Sequence, residues 1–152
     1  MRYRSVFRLA SCIAALTLCA ATTPAQGDPL VPSQLTPGEL KWVTAPTGNQ
    51  QAMIAGHPSK AGLYMYRTKF TGNFRNRPHW HPDERIVTVM SGTLYVGYGE
   101  QFDESKLKAL PAGSIWTEPA RQAHFVWAKD GEVVIQVIGY GPSATTLIEQ
   151  KQ

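Results

Sequence analysis

The sequence predicts an all-β fold, a small sandwich or barrel closed by antiparallel hairpins. Three observations carry this. Short runs rich in β-branched and aromatic residues follow one another from Leu40 to Ile148, clusters of turn formers separate them, and helical patterning is almost absent. Eight or nine short strands with close turns fit a sandwich or barrel better than any layered α/β arrangement.

Taken in order, the strand signals are LKWVTA (40–45), QAMIAG (51–56), GLYMYRTKF (62–70), RIVTVMSG (85–92), TLYVGYG (93–99), SIWTE (114–118), HFVWA (124–128), EVVIQVIGY (132–140) and TTLI (145–148). Ser91-Gly92 and Lys129-Asp130-Gly131 read as tight hairpin connections. The one stretch with a helical look is FDESKLKAL (102–110), one or two turns long at most. No internal repeat is evident.

Ahead of the strands the chain changes character twice. Residues 1–8 (MRYRSVFR) carry three arginines and no acid, residues 9–21 are uncharged and mostly apolar, and small residues lead up to Ala25. That order is the one of a secretory signal peptide, expected over residues 1–25, with cleavage after Ala21 or after Ala25. A membrane-spanning anchor is the alternative, but the apolar run falls short of the roughly 20 residues a spanning helix needs. Residues 26–40 (QGDPLVPSQLTPGEL) are rich in Pro, Gly and Gln and read as an extended arm, which leaves 41–152 as the single folded domain.

Loss of the leader has two consequences. Both cysteines, Cys12 and Cys19, leave with it, so an exported chain must hold together without disulfides. Three basic residues leave as well, so twelve basic side chains face eleven acidic ones and the high pI of the whole chain says little about partners. No basic block or basic stripe with interleaved aromatics points to nucleic acid. The mature chain is expected to be secreted or periplasmic, with no membrane anchor.

The stretch RPHWHPDERIVTVMSG (77–92) holds the most informative chemistry. His79 and His81 stand two apart, so an extended backbone projects both imidazoles to one side. Zinc, iron, manganese, nickel and copper all accept imidazole, and two nitrogens on one face are a sensible start to a site for any of them. His124, at the head of another strand, is the third candidate. His57, in AGHPSK, reads as a solvated loop residue. No G-x-S-x-G elbow, glycine-rich phosphate loop, mature cysteine nucleophile or spaced acid pair offers a competing chemistry.

With His124 and the stretch GSIWTEPARQAHFVWA (113–128) added, the sequence resembles the cupin superfamily. Gly72, His79, His81 and Gly92 match the first motif of that family, with one extra residue between Gly72 and His79. Gly113, Pro119 and His124 match the second motif at the family's spacing. The resemblance covers residues 72–128 and implies a single cupin β-barrel, a double-stranded, jelly-roll-like β-helix. It also implies a divalent metal, of open identity, held by His79, His81 and His124. Cupins include metal-dependent dioxygenases, isomerases and decarboxylases as well as binding and storage proteins. The resemblance therefore allows an oxidoreductase or isomerase acting on a small, anionic organic molecule, or a non-catalytic binder of one. A small-molecule ligand is the expected partner, and a homodimer is the alternative assembly to a monomer.

Three positions depart from the family pattern. Arg85 stands where the first motif has its glutamate, Arg121 replaces the glycine of the second, and Ala128 replaces its asparagine. Residues 79, 81 and 85 share parity, so in an extended strand Arg85 faces inward with the histidines and Glu84 faces out. A bulge at Pro82-Asp83-Glu84 would instead swing Glu84 in as a carboxylate ligand. A guanidinium cannot ligate a metal, but it suits a substrate carboxylate or phosphate, so Arg85 is the candidate substrate-binding residue. The plainer readings are that Arg85 pairs with Glu84, Asp83 or Glu118, that the three histidines are interior polar groups without a metal, and that Trp80, Trp116, Trp127 and Tyr95 are packing residues.

Overall fold

The computed structural model describes Gly27 and residues 29–149. The expected leader, with Cys12 and Cys19, lies outside the described residues. The arm runs to a single 3-10 turn, Pro37–Glu39, whose Thr36 and Glu39 close a reciprocal capping box.

Twelve antiparallel strands follow among the described residues: β1 (Val43–Thr44), β2 (Gln50–Ala55), β3 (Gly62–Phe70), β4 (Phe74–Arg75), β5 (His79–Trp80), β6 (Arg85–Ser91), β7 (Thr93–Tyr98), β8 (Lys108–Pro111), β9 (Ile115–Glu118), β10 (His124–Ala128), β11 (Val133–Gly141) and β12 (Thr146–Leu147). They form two sheets. One has the order β1-β2-β3-β11-β6-β9; the other runs β12-β5-β10-β7-β8, with β4 added beside β10. Two facing antiparallel sheets with this crossing order make the all-β, jelly-roll barrel that the sequence predicts.

The long pair β3 and β11 shows how the pattern sets the fold. Their register runs without a break from Phe70 opposite Val133 to Gly62 opposite Gly141. Every second residue is buried, so Tyr64, Tyr66 and Phe70 meet Val133, Ile135 and Val137 on one inner face. With Val87, Val89, Leu94, Val96, Trp116 and Val126 they form one continuous core. Leu94 is wholly buried, and its truncation to alanine would cost about 2–5 kcal/mol from lost burial plus the cavity left behind.

The turns fall where the sequence places them. Gly92 closes the β6–β7 hairpin at φ 76°, a left-handed conformation that favours glycine. The stretch 102–110 is corrected: it holds one 3-10 turn, Glu104–Lys106, capped by Asp103, and then becomes β8 alongside β7. Lys108 to Pro111 carries no strand alternation of its own, and pairing with β7 decides its conformation. Trp116 is core, whereas Trp80, Trp127 and Tyr95 are half-buried.

Candidate metal centre

Two neighbouring strands and one loop bring the histidines together. His79 on β5 is directly paired with His124 on β10, and their ring centroids lie 4.3 Å apart. His81 follows just beyond β5, its ring 5.0 Å from that of His79 and 5.2 Å from that of His124. The backbone of His81 is held by the N–H of Arg121, which donates to the His81 carbonyl at 2.7 Å. Arg121 does so from φ 61°, the left-handed conformation that explains why the family pattern has glycine there.

The three rings are inclined to one another by 47° to 76°, and one ligand atom from each lies within 4.8 Å of the other two. All three side chains are buried. Their Nδ1 atoms lie against backbone carbonyls: His79 against Arg77 at 2.7 Å, His81 against Ala144 at 2.7 Å, and His124 against Gln122 at 3.1 Å. A carbonyl can only accept, so each Nδ1 carries the hydrogen and, in the neutral ring, each Nε2 carries a lone pair. Tying the far nitrogen in this way orients a metal-ligating imidazole. Burial, aided by the neighbouring His124, pushes His79 down to about 4. Burial and the Arg85 guanidinium do the same to His81, also to about 4. Both rings therefore keep their lone pairs through neutral pH.

A buried carboxylate stands beside them. Glu118, 6% exposed, is on β9 directly opposite Arg85 on β6. Its Oε1 lies 3.3 Å from His124 Nε2, and its Oε2 lies 3.7 Å from His81 Nε2 and 3.7 Å from Arg85 Nη1. Burial raises the Glu118 carboxyl, but the contact with His124 and the charges of His124, His81 and Arg85 outweigh it and hold it at about 2. His124 Nε2 and Glu118 Oε2 are buried without a hydrogen-bond partner. Orphaned atoms of this kind call for an explanation such as an ion. Buried imidazole nitrogens beside a buried carboxylate are the donor set a divalent cation takes, so the residues present fit a metal.

Arg85 is inward, as its parity predicts, with 7% of its surface exposed. Its guanidinium is engaged by the protein. Nε donates to Asp83 at 3.4 Å, Nη1 to the Tyr66 hydroxyl at 3.4 Å, and Nη2 to the Ser143 hydroxyl. Tyr64 donates to the same Asp83 carboxylate, and Gly139 leaves room for the Tyr64 hydroxyl, which a side chain there would strike. Asp83 is held below the usual carboxylate range: burial raises it, but hydrogen bonds from Ser143 and Tyr64 and the charge of Arg85 outweigh that.

Glu84 is not brought to the histidines. Its side chain is exposed, and no bulge turns it inward, because Asp83 and Arg85 on either side are the buried ones. Glu84 instead lines an open depression with Ile86, Thr117 and Tyr140, which also touches Arg85 and Glu118. His57 is exposed and bonded to Ser59, and it is not part of the histidine cluster. The residue that sequence reasoning passed over as a site member is Glu118, noticed only as a partner for Arg85. Its signal was present, since Trp116 and Glu118 share the inward parity of β9. The histidines, Arg85 and Glu118 line a narrow cavity of about 110 Å³ together with Tyr66, Trp116 and Thr145.

Fold and site together define a β-barrel protein with a buried histidine cluster that could hold a metal. Residues 56–151 match the cupin family model, and the chain belongs to the cupin family. Among curated proteins it is similar to germin-like protein 12-2 of Oryza sativa subsp. japonica, 31% identical over 96 residues, which cover 57% of this chain and 42% of that one. The chain spans less than half the length of the curated relatives it matches. Among solved structures it resembles the polyketide cyclase RemF from Streptomyces resistomycificus (12% identity, TM-score 0.65, covering 80% of this chain and 89% of that one). It also resembles an oxalate oxidase in complex with the substrate analogue glycolate (20% identity, TM-score 0.56, 90% and 77%). At these identities the structural likeness concerns the fold.

Proposed function

We propose that this protein is an exported cupin that holds a divalent metal through His79, His81 and His124 and acts on a small, anionic organic molecule, by dioxygenase- or isomerase-like chemistry. The observation that carries the reading is the set of three converging imidazoles, each fixed by a carbonyl behind its ring. A bound metal with an open position would supply a Lewis acid for a carboxylate or carbonyl of the ligand. The chain's own residues define the rest. The histidines would hold the metal, and Arg85 and Trp116 wall the cavity. Solved cupin-fold neighbours that include an oxalate oxidase and a sugar phosphate isomerase support small-molecule chemistry of this kind.

A second reading is a non-catalytic metal- or ligand-binding barrel. The cavity of about 110 Å³ favours it, being well below the ~300–1,000 Å³ of most ligand pockets. Replacement of His79, His81 or His124 by alanine should each lower the metal content of the purified chain several-fold, and His57→Ala should leave it unchanged. Equal content in all four variants would falsify the three-histidine site. Oxygen uptake or product formation with a panel of two- to four-carbon acids then separates the enzyme from the binder.

A further inference from the structure

We infer that Glu118 supplies the carboxylate ligand of this site from β9, across the sheet from the position where the family pattern has its glutamate, and that Arg85 is the positioning residue that holds it. This rests on the metal-binding reading above and names a ligand which that reading leaves open.

Three observations converge on it. First, Arg85 occupies the family's carboxylate position, and its direct cross-strand partner is Glu118. Cross-strand partners have Cβ atoms about 5 Å apart, so the exchange moves the negative group by one strand and keeps it at the barrel's inner face. Second, Glu118 reaches two histidines at once, at 3.3 Å and 3.7 Å, while one of its oxygens has no hydrogen-bond partner. Both His81 and His124 turn Nε2 toward the carboxylate, so nitrogen and oxygen donors converge on one point. Third, Asp83 and Glu118 both lie against the single guanidinium of Arg85. Glu118 is the one on the histidine side of that guanidinium, where a divalent cation held by the rings would meet it.

The remaining contacts explain why Arg85 can serve without capturing the carboxylate fully. Its Nε is taken by Asp83 and its Nη2 by Ser143. Only Nη1 turns to Glu118, at 3.7 Å, too long for a hydrogen bond. Glu118 is thus oriented by charge and left free to ligate.

Manganese(II) alone, titrated calorimetrically into the EDTA-stripped, dialysed full chain, tests this. We expect Glu118→Gln to weaken manganese binding at least tenfold and His81→Ala to weaken it further, with circular dichroism confirming the fold of each. Retained affinity in Glu118→Gln beside lost affinity in His81→Ala overturns the inference and leaves the histidine site standing. Unchanged affinity in both variants overturns the metal site itself. If Glu118→Gln does not fold, Glu118→Asp keeps the charge and draws the oxygens back by one methylene. Weaker binding in it supports ligation, and unchanged binding overturns it.

Discussion

Arg85 and Glu118 stand directly opposite each other on β6 and β9, and their charges meet inside the barrel with Nη1 3.7 Å from Oε2. Both are nine-tenths buried or more. A charge in such a place is tolerated only because its partner is there. Each is therefore a condition for the other, and for the histidines between which Glu118 projects.

Removing the cation should accordingly cost more than its packing. In Arg85→Met the Asp83 and Glu118 carboxylates lose their shared counter-charge while the buried volume is kept. We expect the metal-free protein to lose about 3–5 kcal/mol at pH 7, measured by urea unfolding. Added manganese should restore part of the loss. A loss below about 1 kcal/mol would show that Arg85 is not what holds these carboxylates.

Acid should weaken the metal-free fold in two stages. His79 and His81 have folded values near 4 against 6.5 unfolded. The unfolded chain therefore binds protons first, and the stability these rings contribute above 6.5 is lost as pH falls toward 4. Glu118, held at about 2 against 4.5, contributes above 4.5 and loses that contribution as pH falls toward 2. Each pKa unit is worth about 1.4 kcal/mol, so the melting temperature of the EDTA-treated chain should drop between pH 7 and pH 4.5. His79→Gln should flatten that slope. A melting temperature constant over this range would contradict the burial of neutral imidazoles.

Arg121 offers a stabilising change. It sits at φ 61° with an exposed side chain, and the left-handed conformation costs a non-glycine residue about 1–2 kcal/mol. Glycine gives back part of this through its freer unfolded state. We expect Arg121→Gly to stabilise the protein by about 0.5–1 kcal/mol in urea unfolding, with the Arg121 N–H bond to His81 retained. Destabilisation instead would assign the arginine side chain a contact that outweighs its backbone strain.

Maturation is checked by intact mass. The basic, then apolar, then small-residue order of residues 1–25 leads us to expect a native chain beginning near Thr22 or Gln26. A native protein that retains Met1 would remove the case for export.

The sequence by itself determined the features that depend on local periodicity. Strand runs and turn residues defined the all-β barrel. The two-residue period favoured Arg85 as the inward residue but left open a bulge that would bring Glu84 in; the structure shows Glu84 exposed. Where local pattern was weak, it failed in part: of the stretch 102–110 with a helical look, Glu104–Lys106 is a 3-10 turn but Lys108 onward became β8, because pairing with β7 outweighed propensity. Only the tertiary structure decided the polar partners, since these come from far along the chain. The carbonyl that fixes His81 belongs to Ala144, 63 residues away, and Ser143, beside it, takes the Arg85 guanidinium. The carboxylate of the site comes from Glu118, not from Glu84 next to Arg85. Parity shows which way a side chain faces, but the register between β6 and β9 is a long-range property of the sheet. That register sets Glu118 against Arg85 and carries its carboxylate to His81 and His124.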